Sequence, residues 1–168
     1  MNVDILFLDN KLSDFEHYFE KNQFEEYCET HSFTGKQNQI LSVPPSFSKD
    51  QNPTFLVGTG ENKDDINFYD IGILIGSKIE SDTEINFLNI EDNSNLIIDG
   101  ILYAQYKFDN YKSEDSSSIN TISFKNIETI ENEIKKDSVF WVRDLINTPA
   151  LDKSPEVFID KVNELIDS

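Results

Sequence analysis

Thr54-Phe55-Leu56-Val57-Gly58-Thr59-Gly60 runs straight into Glu61-Asn62-Lys63-Asp64-Asp65, and the fold is read outward from this passage. A short run of aromatic and branched apolar side chains bounded by glycines has the form of a buried strand. Asparagine and aspartate after it are residues that start helices. The spacing predicts a strand, a glycine turn and a helix over residues 64–78. Toward the N-terminus, Val3-Asp4-Ile5-Leu6-Phe7-Leu8 is a second such strand, closed by Asp9-Asn10. From Ser13 the apolar positions Phe15, Tyr18, Phe19, Tyr27 and Cys28 fall at helical intervals, which predicts a helix broken near Asn22. Residues 32–53 hold Gly35, Pro44, Pro45 and Pro53 around Ile40-Leu41-Ser42-Val43, a loop-rich crossing with one strand.

Toward the C-terminus the alternation continues. Residues 84–90 alternate polar and apolar side chains as a strand with one wet face does. Asp92, Asn93 and Ser94 then offer caps for a helix whose stripe runs from Leu96 to Phe108, and the serine-rich stretch 109–118 reads as a mobile loop. Residues 121–124 form another strand. A long helix is expected from Asn126 to Asn147, with Ile127, Ile130, Ile134, Trp141, Val142 and Leu145 at helical spacing. It must stop before Pro149, whose ring disfavours the helical conformation at Thr148. Ser154-Pro155-Glu156 restarts a helix, with a capping hydroxyl, a proline at the first helical position and an acid facing the positive end of the dipole. Strands alternating with helices imply an α/β domain with a mixed, largely parallel sheet.

The 168 residues suffice for one ordinary core. Acids outnumber bases 32 to 14, and the resulting net charge of −18 disfavours nucleic acid as a partner. Hydrophobic residues are 38% of the chain, and 13 Phe with 6 Tyr supply the large apolar side chains that a disordered acidic chain lacks. Cys28 is the single cysteine, so no internal disulfide is expected. With no signal-like N-terminus and no apolar run of spanning length, the expectation is a soluble, cytoplasmic protein with no membrane partner.

Catalytic constellations are scarce. Cys28, His31 and His17 are the soft metal ligands present, and a Cys-x-x-His pair with one distant histidine falls short of a zinc site. No Gly-x-Ser-x-Gly run occurs, and both histidines lie near the N-terminus, so no nucleophilic triad is expected. Gly58 and Gly60 mark a possible turn or ligand loop, where backbone amides after a strand can cradle a phosphate. The chain lacks the Gly-Lys-Ser/Thr ending of a P-loop and the third glycine of a dinucleotide fingerprint. Acidic pairs such as Glu25-Glu26, Asp64-Asp65 and Glu91-Asp92 are expected by composition and read as solvated faces and caps. On this chain no catalytic or metal-binding residue is assigned.

The run Phe140-Trp141-Val142-Arg143-Asp144-Leu145-Ile146-Asn147-Thr148-Pro149-Ala150, with Ser154-Pro155-Glu156 after it, resembles the junction between the N-terminal and catalytic domains of the leucyl aminopeptidases, the M17 metallopeptidases. Leu56-Val57-Gly58-Thr59-Gly60 is similar to that family's Val-Gly-x-Gly strand and turn. The stretch from Gly100 to Tyr106-Lys107-Phe108-Asp109-Asn110-Tyr111-Lys112 is similar to its Tyr-x-Phe-Asp-x-Tyr-Lys helix end. Leu151 stands where the family often has asparagine, and Trp141 and Val142 replace smaller residues.

The resemblance implies a macro-domain-like three-layer sandwich as the N-terminal domain of a cytosolic, usually hexameric exopeptidase that removes N-terminal amino acids with two divalent metals, zinc, manganese or magnesium. Residues 1–125 would be the noncatalytic domain, 126–150 a linker helix and junction carrying Arg143, Asp144, Asn147, Thr148 and Pro149, and 151–168 the start of a catalytic domain that lies beyond this chain with both metals. The expected partners are that catalytic domain and further copies of the enzyme. The residues alone also support two other readings. One is a stand-alone macro-like module binding a ligand at Gly58 and Gly60; the other is an acidic mimic of nucleic acid.

Overall fold

The computed structural model describes residues 1–61, 66–90, 93–108 and 121–167. In chain order these form β1 (Asn2–Asp9), α1 (Lys21–Thr30), β2 (Ile40–Val43), a 3-10 turn (Pro45–Phe47), β3 (Thr54–Gly60), α2 (Phe68–Gly76), β4 (Thr83–Phe87), α3 (Ser94–Ala104), β5 (Ile122–Phe124), α4 (Ile130–Asn147), a second 3-10 turn (Ala150–Asp152) and α5 (Pro155–Asp167). The strands make a five-stranded sheet in the order β2-β3-β1-β4-β5. Pairings of β1 with β3 and β4, and of β4 with β5, are parallel, whereas β2 runs antiparallel on the edge. The mixed, largely parallel sheet expected from the alternation is therefore present.

Central β1 explains the layering. It is buried on both faces, as a strand between two helical layers must be. Ile5 and Phe7 point to one side, where they pack with Val57 of β3, Ile71 and Ile75 of α2, and Ile97, Ile98 and Ile101 of α3. Leu6 and Leu8 point to the other, against Phe24 and Cys28 of α1 and the preceding Phe15 and Phe19. Two apolar clusters on opposite faces of one sheet make the three layers. On the α1 side the filling is aromatic: Phe15 stacks on Phe24 with centroids 4.1 Å apart, and Phe19 lies 5.0 Å from the same ring. On the other side α2 and α3 meet at backbone distance. A Cβ on Gly72 would overlap the Ile97 carbonyl oxygen, and one on Gly100 would overlap that of Tyr69.

Several boundaries differ from the periodicity. No helix starts at Ser13. The Asp9 carboxylate accepts from the amides of Lys11 and Ser13 (3.0 and 3.2 Å), and Leu12 and Asp14 take positive φ, which turns the chain instead. Helix α1 begins at Lys21, so Asn22 lies in its first turn and is not a break. Gly58-Thr59-Gly60 is no turn either, for β3 continues through Gly60. Helix α2 starts at Phe68 behind Asn67, whose side chain accepts from the Asp70 amide at 3.3 Å. Strand β4 ends at Phe87, and the Asn89 carboxamide takes over its pairing by bonding both the amide and the carbonyl of Phe7 (2.9 and 2.7 Å). Helix α3 closes at Ala104, four residues short of Phe108. Asn126, at φ 59°, is itself outside the right-handed helical region, and α4 begins at Ile130. Asp64, Asp65, Glu91, Asp92 and the stretch 109–118 lie outside the described residues. Among the described residues no helix is long and apolar enough to cross a membrane.

Candidate functional site

Helix α4 lies against α3 and is held mainly by polar side chains. Of its 18 residues only Asn132 is fully buried, at 2% exposure. Its Nδ2 donates to Asp99 Oδ1 (2.7 Å) and to the Asn95 carbonyl (3.0 Å), so one carboxamide ties the start of α4 to α3. Lys135 adds a looser contact, 3.9 Å from Asp99 and 3.0 Å from Glu131.

The other end of α4 closes around Tyr106, just beyond α3. Phe140, Arg143, Asp144 and Asn147 stand at i, i+3, i+4 and i+7, which places them on one helix face. Phe140 meets the Tyr106 ring edge-on at 5.1 Å, and the Arg143 guanidinium lies 4.9 Å above the ring centroid. The Tyr106 hydroxyl donates to Asp144 Oδ1 (2.9 Å) and accepts from Asn147 Nδ2 (3.0 Å). Arg143 Nη1 also donates to the Tyr103 carbonyl at 3.3 Å. Partial burial raises the Tyr106 hydroxyl above the ordinary phenol range; the Asn147 amide opposes this and the Asp144 carboxylate adds to it.

Thr148 then terminates the helix. Its amide and hydroxyl both bond the Asp144 carbonyl, at 2.9 and 2.7 Å, while its own backbone turns extended ahead of Pro149. Across the 3-10 turn Lys153 Nζ reaches the Ile146 carbonyl at 3.3 Å. Ser154 accepts from the Val157 amide at 3.4 Å, and its hydroxyl hydrogen bond holds Glu156 below the usual carboxylate range. The Ser-Pro-Glu helix start is thus present as read. Around this junction Ile146 is 69% exposed and Leu151 96%, and Val157, Phe158 and Ile159 of α5 are exposed as well. These apolar side chains lie on the last turn of α4, the 3-10 turn after it and the first turn of α5.

Four of the five junction residues named from sequence, Arg143, Asp144, Asn147 and Thr148, are thereby linked in one network, and Pro149 ends the helix they share. The Tyr106 clasp itself is not legible in the sequence as a contact. Its signal is the spacing of residues 140, 143, 144 and 147, which shows a shared face but not what that face meets.

The other candidates do not converge. The Gly58 amide donates to the Gln39 carbonyl and the Gly60 amide to that of Gly35, each at 2.8 Å, so neither is free to hold a phosphate. A Cβ on Gly58 would overlap the Lys36 carbonyl oxygen, which accounts for the glycine by close packing. Cys28 is buried, and desolvation pushes its thiol up to about 11. His31 stacks on Tyr27 at 4.1 Å and bonds the Tyr27 carbonyl. Among the described residues no three His, Cys, Asp or Glu side chains stand close enough together to hold a metal ion.

No protein-family model matches the chain. Probable cytosol aminopeptidases of two strains of Rickettsia bellii are each 27% identical over 163 residues, covering 80% of this chain and 32% of their own. That of Rickettsia massiliae is 26% identical over 160 residues with the same coverage. Among solved structures, the bottromycin maturation enzyme BotP in complex with Mn matches 98% of this chain and 35% of its own with a TM-score of 0.71 at 16% identity. The cytosol aminopeptidase from Coxiella burnetii matches 98% and 35% with a TM-score of 0.70 at 18% identity, and a mutant tomato leucine aminopeptidase 97% and 38% with a TM-score of 0.66 at 16% identity. The chain spans about a third of the length of the curated relatives it matches. In sequence it is thus similar to cytosol aminopeptidases, and in fold to the α/β N-terminal domain of leucine aminopeptidases, as residues 143–156 indicated.

Proposed function

We propose that this chain is the N-terminal, noncatalytic regulatory or assembly domain of a leucyl aminopeptidase-like metalloexopeptidase that removes N-terminal amino acids from peptides in the cytoplasm. Residues 1–125 are its body, 126–150 the connector and junction, and 151–168 the entry into a catalytic domain of the same polypeptide. The observation that carries the reading is the form of α4 and of the segment beyond it. An 18-residue helix with a single buried side chain, clasped to the body at Tyr106, leads to Leu151, Val157, Phe158 and Ile159, whose apolar surface stays exposed. Apolar area of this kind beside a chain exit fits the seam with a further domain.

Two divalent metals, zinc, manganese or magnesium, would belong to that catalytic domain. Assembly into a hexamer is part of the same proposal. An immunoblot of the source cells with an antibody against this chain tests it: a band far above 19.4 kDa that co-purifies with chelator-sensitive aminopeptidase activity is expected. A band at 19.4 kDa alone would sink it.

A further inference from the structure

An open groove of about 460 Å³ lies between one face of α1 and the 3-10 turn at Pro45–Phe47. Tyr27, His31 and Phe47 wall it, with Glu26, Thr30 and Ser46 alongside. Tyr27 organises the wall. Its hydroxyl is fixed to the Ser42 carbonyl at 3.0 Å, one side of its ring stacks on His31 at 4.1 Å, and Phe47 packs against it at 4.7 Å. Three rings are therefore held as a unit before any ligand arrives.

Charge selects what fits. Among the described residues lining the groove there is a carboxylate, Glu26, and no lysine or arginine. The nearby cations are committed elsewhere, Lys21 to Glu16 (3.8 Å) and Lys49 to Glu20 (3.7 Å). Glu25 and Glu29 on the same helix, and the net charge of −18, deepen the negative potential. We propose that this groove binds an arginine side chain presented by a peptide, its planar guanidinium lying against the aromatic wall and pairing with Glu26, with the Thr30 and Ser46 hydroxyls as further acceptors. A guanidinium suits the site better than an ammonium because it is flat, stacks on rings and offers five donors. This inference is independent of the aminopeptidase reading.

The test is a titration of the 168-residue chain, followed by NMR, with capped Ala-Arg-Ala, its citrulline isostere and N-acetylarginine amide. The expected result is saturable binding of the arginine peptide with shifts at Tyr27, Thr30, His31 and Phe47, and binding about fivefold weaker or worse for citrulline. Glu26→Gln should weaken binding about threefold, in keeping with an exposed pair. Thr30→Lys, at an exposed position, should place a competing cation in the groove and weaken binding about tenfold or more. Equal binding of citrulline, shifts that never saturate, or an unaffected Thr30→Lys variant would overturn the proposal. N-acetylarginine amide binding as tightly as the peptide would overturn the peptide as the occupant.

Discussion

The α2/α3 layer and the α4/α5 arm are both helical, yet they are held in opposite ways. Helices α2 and α3 approach until backbone meets backbone at Gly72 and Gly100, and Ile71, Ile75, Ile97, Ile98 and Ile101 fill the sheet face. Helix α4 keeps its apolar residues Ile130, Ile134, Val142 and Ile146 in solvent and grips the body through Asn132 at one end and the Tyr106 clasp at the other. Close apolar packing resists any change of separation. These ties at the two ends of α4 fix its direction, with Val139, Phe140, Trp141 and Leu145 half-buried and the opposite face left open. The first arrangement suits a domain core; the second suits a connector.

The sharpest way to break the contrast is Gly72→Ala. The added Cβ meets the Ile97 carbonyl, and neither helix can yield without opening the core, so a loss of about 3 kcal/mol is expected in denaturant melts. A loss below about 1 kcal/mol would show that the two layers differ less than their geometry indicates. Next comes Asn132→Ala, which leaves the buried Asp99 without its donor. About 2 kcal/mol should be lost, with faster hydrogen exchange along the first turns of α4. Tyr106→Phe is smaller, about 1 kcal/mol, because one hydroxyl and two hydrogen bonds are removed from a partly solvated site. Its mark should be local: exchange rises over residues 143–148 while the exchange of α2 and α3 is unchanged. Leu151→Ser should alter stability by less than about 0.5 kcal/mol, since the side chain touches little, but should reduce self-association of the chain in light scattering.

The body also has a pH signature of its own at alkaline pH. Burial raises the Cys28 thiol from 9.0 to about 11, so the folded state holds its proton where the unfolded chain releases it. Stability from this group is complete below pH 9 and is lost as the pH rises toward about 11. Melts across that window should show the decline in the parent chain and a shallower one in Cys28→Ala.

Legibility divides along the same line. Strands β1, β2 and β3 are readable because buried strands are short apolar runs, and the Ser154-Pro155-Glu156 start is readable because capping is local chemistry. The segment before α1 has helical spacing without being a helix. Phe15 and Phe19 are apolar because they pack on Phe24, and the spacing cannot tell this from a helix face. Gly58 and Gly60 suggest a turn on local grounds, whereas close packing against the backbone of Gly35 and Lys36 is what requires glycine at Gly58. At the junction, the order of Arg143, Asp144, Asn147 and Thr148 carries the family likeness, and their partner Tyr106 lies 38 residues from Asp144.

The sequence by itself therefore determined the alternation of strands and helices, the end of α4 before Pro149, the acidic surface and the likeness to leucyl aminopeptidases, for each rests on neighbours in the chain or on composition. Only the tertiary structure decided the antiparallel edge strand, the glycine-to-backbone contact of α2 with α3, the Tyr106 clasp and the aromatic groove beside α1. Each of these depends on which distant residues meet, and no local propensity encodes that.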